Sequence, residues 1–519
     1  MLLAWTSAQV RAAEEPLLAA GVPLMQRASF ALAGALARVL RERRGSVRGA
    51  LVVLLVGPGN NGGDALHAGA YLRARGVDVR AVALAPRVHD EGRAALLGAG
   101  GRLVTVSGDG ARGDAVDPEQ AAALAAHGDV VVDGILGTGA RPGGLTGVAR
   151  DVVDALRRRL DASDERPVVV AVDVPSGIGV DDGTAAGTVL LADRTVTFGG
   201  AKPGLLLPPA AGLAGEVEVV DIGLRLPGGP AAARLDVPDA AALWPVPADD
   251  SHKYARGVVG VVAGTPRYPG AAVLATSAAV LAGVGMVRYL GDVGEVVVAR
   301  RPEVVVGEGR VQAWVLGPGV ASDDAPQRAR VERALDGVLH RGEPAVVDAG
   351  ALELLPPRVP AHVVLTPHAG ELARLLTARG EPVARERVEA EPVQHARRAH
   401  ELTGATVLLK GHTTVVVGAG GALYAQSDAP AWLATAGAGD VLAGLLGALL
   451  AACADDVLAD PTLVPALAAC AALVHGRAAR TANPDGPVAA LDVARALPPT
   501  IRETVRALVG SSAGARMGG

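Results

Sequence analysis

Short apolar runs alternate with stretches of helical spacing through the first half of the chain. Each run is long enough for a buried strand, and residues 1–40 carry the apolar spacing of a helix. Strands that alternate with helices in this way predict a parallel, doubly wound α/β sheet. The predicted strands are Ala50–Val56, Val77–Leu84, Arg102–Val106, Asp129–Ile135, Pro167–Val172, Arg194–Phe198 and Glu216–Val220.

A second α/β series follows a segment over 224–250 that is rich in Pro, Gly and Ala, which is typical of a linker. The series ends in long alanine-rich helices. We therefore predict one domain over 1–228, another over 229–508, and a disordered tail over 509–519. The second set of predicted strands is Gly257–Ala263, Ala313–Leu316, Pro344–Val347, His362–Leu365 and Thr406–Leu409.

Composition excludes several classes of protein. The 49 basic and 54 acidic residues give no basic surface for nucleic acid. Cys453 and Cys470 lie in alanine-rich helical segments and form neither a disulfide framework nor a metal cluster. The N-terminus lacks a secretory signal, and the apolar segments 270–287 and 441–453 are interpreted as buried helices. We expect a cytoplasmic homo-oligomer that binds neither nucleic acid nor a membrane.

Arginine replaces lysine almost throughout the chain. Only Lys202, Lys253 and Lys410 are lysines. A lysine kept against this bias is a candidate for a site that needs a compact, flexible ammonium group.

The first predicted strand leads into a polar, glycine-rich loop, Gly57-Pro-Gly-Asn-Asn-Gly-Gly-Asp64. The loop fits G-x-G-x-x-G between a strand and a helix, which is the pattern of a nicotinamide dehydrogenase. The acidic residue expected about 20 positions later is absent, because the second strand ends Val82-Ala-Leu-Ala85. Side-chain amides and a carboxylate are therefore expected to bind the ligand, with the helix N-terminus available for a phosphate.

Two further strands end in polar residues at the same edge of the predicted sheet. One strand contains Asp133 and is followed by the glycine-rich run 137–143. The other is followed by Asp173 and Ser176. Open parallel sheets bind ligands at the carboxyl ends of their strands. Asn61, Asp133 and Ser176 offer hard oxygen ligands for a cation, which leaves Asp173 for the ligand.

The motifs GPGNNGGD, DGILGTG, VDVPSG and GAKPG resemble those of the NAD(P)H-hydrate epimerase domain over about residues 5–225. The resemblance implies a Rossmann-like fold, potassium ligands at Asn61, Asp133 and Ser176, and Asp173 as the group that handles the proton during epimerisation. Ala65 stands where the family usually has glycine, and LMQRAS at 24–29 stands where it usually has LMERAG. The residues implied to hold the hydrated cofactor are Asn60, Asn61, Gly62, Gly63, Asp64, Gly137, Thr138, Gly139, Ala140, Arg141, Pro142, Gly143 and Asp173.

The second half carries its own chemical motif, Thr435-Ala-Gly-Ala-Gly-Asp440, before an apolar helix. Glycines let backbone N–H groups converge on an anion at a helix N-terminus. Asp440 follows them where a general base for a hydroxyl attacking a phosphoryl group is needed. Lys410 at the end of a strand and His368 on another strand-to-helix loop are further candidates.

The motifs HKYARG, LGPGV, DAGAL, TPHAGE, LLKGHTT and TAGAGD occur in the order found in the ribokinase-like superfamily, and more closely in its ADP-dependent NAD(P)H-hydrate dehydratase branch. The resemblance spans about residues 240–490. It implies that ADP phosphorylates the hydroxyl of the hydrate, with Mg²⁺, after which phosphate leaves. Asp440 is the implied base, and Ala272, Gly319, His368 and Asp440 are the implied hydrate contacts. The implied ADP contacts are Lys410, Gly411, His412, Thr413, Thr414, Thr435, Ala436, Gly437, Ala438 and Gly439.

Together the motif sets predict a bifunctional enzyme that uses hydrated NADH or NADPH and ADP, with Mg²⁺ and K⁺. A stereospecific dehydratase alone would leave one epimer unrepaired, and an epimerase on the same chain makes both repairable. One alternative is an ATP-dependent small-molecule kinase. Another is an N-terminal half that binds ligands without turnover.

Overall fold

The computed structural model describes residues 1–107, 115–139 and 143–515, with side chains as far as Ala507. The described chain divides into two compact units. One unit is Leu3–Ala231, and the other is Ala232–Gly519 together with Met1–Leu2. The sequence predicted the boundary after residue 228.

The N-terminal unit alternates strands and helices as predicted. After β1 (Leu2–Ala4), its elements in chain order are α1 (Ser7–Ala19), α2 (Leu24–Arg44), β2 (Leu51–Val56), α3 (Asn60–Arg73), β3 (Asp78–Ala83), α4 (Asp90–Gly98), β4 (Arg102–Val106), β5 (Ala115–Val116), α5 (Pro118–Ala126), β6 (Val130–Gly134), α6 (Gly147–Asp161), β7 (Val168–Val172), β8 (Arg194–Phe198) and β9 (Glu216–Val220).

The sheet of this unit has the order β5-β4-β3-β2-β6-β7-β8-β9, with neighbouring strands parallel. Alternate residues of β2 enter different cores. Val52 and Leu54 pack with helices α2 and α3, whereas Val53 and Leu55 pack with α5 and α6. Both faces of the sheet are therefore covered, as a doubly wound fold requires.

The strand order reverses at β2. The chain moves from β2 to β3 on one side, and it returns to place β6 on the other side. Such a switch point leaves a crevice at the carboxyl ends of the two strands, where open α/β sheets bind ligands. The loops after β2 and β6 both carry predicted site residues.

The C-terminal unit is a second α/β series. Its elements are β10 (Ala232–Arg234), α7 (Val237–Leu243), β11 (Val258–Val262), α8 (Pro269–Leu281), β12 (Met286–Tyr289), α9 (Gly294–Arg300), β13 (Val305–Val306), β14 (Ala313–Leu316), α10 (Ala325–Arg341), β15 (Ala345–Val347), β16 (Val363–Leu365), α11 (Ala369–Ala378), α12 (Arg385–Ala390), α13 (Pro392–Thr403), β17 (Thr406–Leu409), β18 (Thr414–Val417), β19 (Leu423–Gln426), α14 (Ala438–Ala452), α15 (Ala454–Ala459), α16 (Leu463–Ala482) and α17 (Ala490–Ala515).

From β10 its sheet runs β10-β19-β18-β17-β16-β15-β14-β11-β12-β13. Strand β18 is antiparallel to β17 and β19, and the other pairs are parallel. Helix α14 lies in the core, with nearly all its residues buried, and packs against α8 and α16. The predicted α/β class with parallel sheets is confirmed for both units.

Three predicted segments differ from the structure. The helix over 1–40 is interrupted, because Gly21 has φ +74° and Pro23 precedes α2. The linker over 224–250 contains β10 and α7, and Asp236 caps α7 with a capping box. The tail predicted over 509–519 begins inside α17, whose backbone is helical to Ala515, and residues 516–519 lie outside the described chain.

Among the described residues, no single helix is long and apolar enough to cross a membrane. The pair α1 and α2, bent by 116°, passes that test of length and composition only when the two helices are taken together. The apolar segments at α8 and α14 are shorter helices.

Candidate functional site

The loop between β2 and α3 is folded tightly against the loop after β6. A Cβ atom on Gly57 would lie 1.8 Å from the carbonyl oxygen of Ile135, and one on Gly62 would lie 2.3 Å from the carbonyl oxygen of Gly57. Helix α3 begins after Gly59, and no described side chain caps its first turn. The glycines therefore allow a close crossing, and the helix N-terminus remains available for an anion.

The predicted cation ligands lie together around the backbone of Leu136. The Asn61 amide donates to the carbonyl oxygens of Leu136 and Val172. The Ser176 hydroxyl accepts from the Leu136 N–H at 2.8 Å and donates to Asp133 Oδ1 at 2.5 Å. The structure thus brings all three predicted ligands to the segment 133–136 at the carboxyl end of β6.

Asp133 is fully buried, and burial raises the pKa of its carboxyl group. Its hydrogen bonds come from the Ser176 hydroxyl and from the N–H groups of Ser176 and Ile135. No lysine or arginine among the described residues forms an ion pair with it. A bound cation would supply the missing positive charge.

Asp173 follows β7 in a left-handed conformation, with φ +67°. Its Oδ1 accepts from the Lys202 ammonium, from the Thr197 hydroxyl at 2.9 Å and from the Phe198 N–H at 3.3 Å. Lys202 is 1% exposed, so the pair is an almost fully buried salt bridge. All three donors bind Oδ1, so these bonds fix that edge of the carboxylate.

Asp64 lies in the first turns of α3 and is also buried. Burial, together with the negative charges of Asp173 and Glu14, raises the pKa of its carboxyl group to about 8. The Ser29 hydroxyl donates to Asp64 Oδ1 at 3.1 Å and opposes this shift. These surroundings therefore favour the protonated form of Asp64 at neutral pH.

The remaining predicted residues of this half border the same crevice. Asn60 is exposed beside buried Asn61, and the Gly137 backbone lies against the Asn61 amide, where a Cβ would be 2.5 Å from Oδ1. Thr138 is half-buried, and Gly139 and Gly143 are exposed. The ring of His89 packs against Gly63. Ala140, Arg141 and Pro142 lie outside the described residues.

In the C-terminal unit the motif over 435–440 forms the start of α14. Gly437 adopts φ +87°, which favours glycine, and no described side chain caps the helix. Ala438 is buried, while Thr435, Ala436 and Gly439 are partly or fully exposed. The first turn therefore presents uncapped N–H groups beside Asp440, as predicted for an anion site.

Lys410 lies next to this turn. Its Nζ would be 3.2 Å from a Cβ atom on Gly439, and it donates to Asp348 Oδ1 at 2.8 Å. Burial lowers the pKa of Lys410, but Asp348, Glu371 and Asp440 outweigh this and raise it overall. Burial and the negative charge of Asp348, opposed by the positive charge of Lys410, raise the pKa of Asp440 to about 7.

The other predicted residues of this half have mixed placements. His368 caps α11 through Nδ1, and its ring is half-exposed. The carbonyl of the preceding residue, Pro367, accepts a hydrogen bond from the Lys410 N–H. Gly319 has φ +65° and crosses closely over Ala271. Ala272 is fully buried under Gly264, so its side chain presents no surface to a ligand. Of the loop over 411–414, Gly411 and His412 are exposed, Thr413 is buried and Thr414 begins β18.

Several residues that complete the sites lie outside the predicted set, namely Ser29, Glu14, Lys202, Asp348 and Glu371. The scarcity of lysine was the signal for Lys202, and the DAGAL motif contained Asp348. Ser29 was visible only as a departure from the family motif. Among the described residues, no cluster of three or more His, Cys, Asp or Glu side chains is arranged to hold a metal ion.

Comparison with known proteins gives matches in both halves. Residues 22–204 match the model of the YjeF-related protein N-terminus, and residues 259–499 match that of NAD(P)H-hydrate dehydratase. The chain is 44% identical to a bifunctional NAD(P)H-hydrate repair enzyme of Mycobacterium tuberculosis, over 85% of this chain and 88% of the relative.

Two further relatives each match one half. An NAD(P)H-hydrate epimerase of Clavibacter sepedonicus is 48% identical over 44% of this chain and 94% of its own length. A solved ADP/ATP-dependent NAD(P)H-hydrate dehydratase of Bacillus subtilis is 26% identical, covers 51% of this chain and 96% of its own, and has a TM-score of 0.44.

Proposed function

The chain belongs to the family of bifunctional NAD(P)H-hydrate repair enzymes, and from this premise we propose how its two units share the reaction. The enzyme epimerises the R and S forms of hydrated NAD(P)H and dehydrates the S form at the expense of ADP. The products are NAD(P)H, AMP and phosphate. The family and both activities predicted from the motifs are confirmed, and the assignments of residues below are proposals.

Asp440 is proposed as the base of the dehydratase unit. Its carboxylate takes the proton of the substrate hydroxyl as the hydroxyl oxygen attacks the terminal phosphorus of ADP, and AMP leaves with the electrons of the broken P–O bond. Phosphate is then lost from the substrate together with a proton from the neighbouring carbon, which restores the double bond. The N–H groups of Gly437–Gly439 would stabilise charge on the transferred group.

The juxtaposition of Asp440, Lys410 and Asp348 at the uncapped start of α14 is the observation that carries this proposal. Burial brings the pKa of Asp440 to about 7, which suits a base at neutral pH. Lys410, held by Asp348, lies where the phosphates of ADP would approach the helix N-terminus. The loop 410–414 and Gly319 and His368 would contribute the remaining contacts.

Asp173 is proposed to handle the proton in the epimerase unit, with the loops over 60–64 and 137–143 around the hydrate. Lys202 and Thr197 orient its carboxylate from within the protein. Because Lys202 is buried, it acts through Asp173 and does not meet the substrate directly.

The implied cations fit these surroundings. K⁺ would lie among the oxygen atoms of Asn61, Asp133 and Ser176, where buried Asp133 lacks a cationic partner within the described chain. It would fix the loops after β2, β6 and β7. Mg²⁺ would accompany ADP, whose phosphate oxygens supply ligands that it prefers. We also propose that the enzyme works in the cytoplasm, with the NAD(P)H pool; the homo-oligomer stays a prediction.

Purified protein mixed with both epimers of hydrated NADH, ADP and Mg²⁺ tests the proposal through the near-ultraviolet absorbance of NADH. We expect full recovery from both epimers, faster than spontaneous epimerisation. Asp440→Asn should lower the dehydration rate by about 10²–10⁴ and leave epimerisation of the R form unchanged. Phosphorylation of an alcohol by ATP, without recovery of NADH, would instead identify a small-molecule kinase.

A further inference from the structure

The loop after β3 lies beside the loop that begins α3. Because β3 is a parallel neighbour of β2, the segment 84–89 leaves the sheet next to the segment 57–60. The ring of His89 packs against Gly63, where a Cβ atom would lie 2.9 Å from the ring Cγ. A Cβ atom on Gly92 would lie 3.2 Å from the Gly63 carbonyl oxygen. The start of α4 is therefore packed directly on the first turn of α3.

The strand order places the parts of a dinucleotide along this edge of the sheet. Asp173, proposed to handle the proton, puts the reacting ring at the end of β7, and the uncapped start of α3 after β2 is available for the pyrophosphate. In the order β3-β2-β6-β7, three strand spacings, about 14 Å, separate β7 from β3. An adenosine half that continues from the pyrophosphate away from Asp173 reaches the loop after β3, as at other switch points.

This loop carries basic side chains and no acidic one. Dinucleotide sites that bind a ribose 2′-OH place an acidic residue at this strand end, whereas those that accept a 2′-phosphate have an arginine nearby. The acidic residue of β3 is Asp78, which begins the strand at the opposite edge of the sheet and pairs with Arg80. Arg87 is exposed, and its guanidinium forms no ion pair or hydrogen bond within the part of the chain that the structure describes.

His89 adds a hydrogen-bond donor whose tautomer is fixed by the backbone. Its Nδ1 accepts the Gly92 N–H at 3.1 Å and so caps α4. In the neutral ring Nε2 therefore carries the hydrogen, and none of the described residues accepts it. The first acidic residues after the strand, Asp90 and Glu91, come beyond this cap in the exposed first turn of α4.

We propose that Arg87 and His89 form a site for the 2′-phosphate of hydrated NADPH, so that the epimerase unit selects this hydrate over hydrated NADH. The inference rests on the proposed epimerase function and names the substrate that it prefers. The two residues are two positions apart, so their Cα atoms are separated by at most about 7 Å. A guanidinium binds a phosphate through two parallel N–H groups, and the imidazole Nε2–H supplies a further donor. Hydrated NADH offers Arg87 only a neutral 2′-OH.

Epimerisation is measured alone when ADP is left out, because dehydration consumes ADP. The R and S forms are separated by chromatography, and the spontaneous rate is subtracted. We expect kcat/KM of the wild-type chain to be at least about tenfold higher for the R form of hydrated NADPH than for that of hydrated NADH. Arg87→Ala should remove most of this preference by raising KM for hydrated NADPH, with hydrated NADH unaffected. Arg87→Lys should keep part of it, since an ammonium binds phosphate as a point charge.

Two further variants separate the site from general effects of charge and folding. His89→Asn keeps an acceptor for the Gly92 N–H and removes Nε2–H, so we expect it to lower the preference for hydrated NADPH. Arg157→Ala is the matched control. Arg157 is also exposed and has no ion pair among the described residues, but it lies in the second half of α6, towards the amino ends of the strands. This variant should epimerise both hydrates as the wild-type chain does.

The outcomes distinguish the site from the function. A wild-type chain that epimerises both hydrates equally well, or prefers hydrated NADH, would overturn the 2′-phosphate site and leave the proposed function standing. An equal loss on both hydrates in Arg87→Ala would also overturn it, because unchanged epimerisation of hydrated NADH is the sign that the variant is folded. A wild-type chain that epimerises neither hydrate would contradict the proposed function itself.

Discussion

At the scale of single residues, the two sites use the same arrangement of charge. Each has a lysine paired with an aspartate, fully buried Lys202 with Asp173 and partly buried Lys410 with Asp348, near another carboxyl group whose pKa is raised by burial. Lys253, in contrast, is exposed and lies 5.2 Å from the ring of Tyr254. Two of the three lysines thus lie at the candidate sites.

The pH dependence of dehydration follows from Asp440. As the proposed base, Asp440 must be ionised, so kcat/KM for the S hydrate should rise with pH and level off above about 7. Asp348→Asn removes a negative charge that raises the pKa of Asp440 and frees Lys410 to lower it. We expect the inflection of the profile to move to lower pH in that variant. An unchanged inflection would show that another group controls the rate.

His475 on α16 predicts an acid sensitivity of the C-terminal unit. Burial lowers its pKa to about 4, and its Nε2 has no hydrogen-bond partner among the described residues. Below pH 6.5, the ordinary pKa of histidine, His475 is protonated in the unfolded chain but stays neutral in the folded chain. The free energy of unfolding therefore falls as the pH drops from 6.5 towards 4. The loss attributable to this group is about 2 kcal/mol between pH 6.5 and 5.

Urea unfolding of His475→Leu at these two pH values measures that loss. The variant should lose less stability on acidification than the wild-type chain by this amount, because no proton is then taken up at the site on unfolding. His127→Leu, an exposed histidine, is the control and should lose as much as the wild type. An equal loss in all three chains would contradict the assignment.

Residue types at the sites were predictable, whereas their partners were not. Contiguous motifs identified Asn61, Asp173 and Asp440, because a loop at a strand end brings neighbouring residues to one place. Ser29 and Asp64 are 35 positions apart, and Lys202 and Asp173 are 29 apart. Such pairs depend on how helices dock on the sheet, which apolar spacing alone does not specify.

At the scale of elements, the start of α14 depends on glycine at position 439, because the Lys410 ammonium lies close to its backbone. A Cβ atom at Gly439 would lie 3.2 Å from Lys410 Nζ, so the ammonium would have to move away from the helix N-terminus by a few tenths of an ångström. We expect Gly439→Ala to raise KM for ADP by about tenfold with epimerisation unchanged. Gly34→Ala, a helical glycine of α2 with room for a Cβ, should leave KM unchanged. An unaltered KM in Gly439→Ala would exclude Lys410 from ADP binding.

Strands of four or more residues were the best predicted elements. The runs at β8, β9, β14 and β17 were predicted at their observed bounds, and β8, β14 and β17 are the buried apolar runs that are typical of the interior of a sheet, whereas β9 is a partly exposed edge strand. Shorter strands such as β5 and β13 were missed. They have only two residues each and carry no periodicity. The prediction of a linker over 224–250 was wrong for a similar reason, because β10 and α7 are short elements stabilised by tertiary packing.

At the scale of the whole molecule, each unit has its own sheet and core, and each candidate site lies within one unit. Hydrate released by one site is therefore free to reach the other through solution. A mixture of the Asp173→Asn and Asp440→Asn proteins should convert the pure R hydrate to NADH with ADP, although neither variant alone does so faster than spontaneous epimerisation allows. The first variant supplies dehydration and the second supplies epimerisation. If each variant keeps its remaining activity and the mixture still fails, substrate must pass between the sites of a single chain, and that passage would explain why the activities are fused.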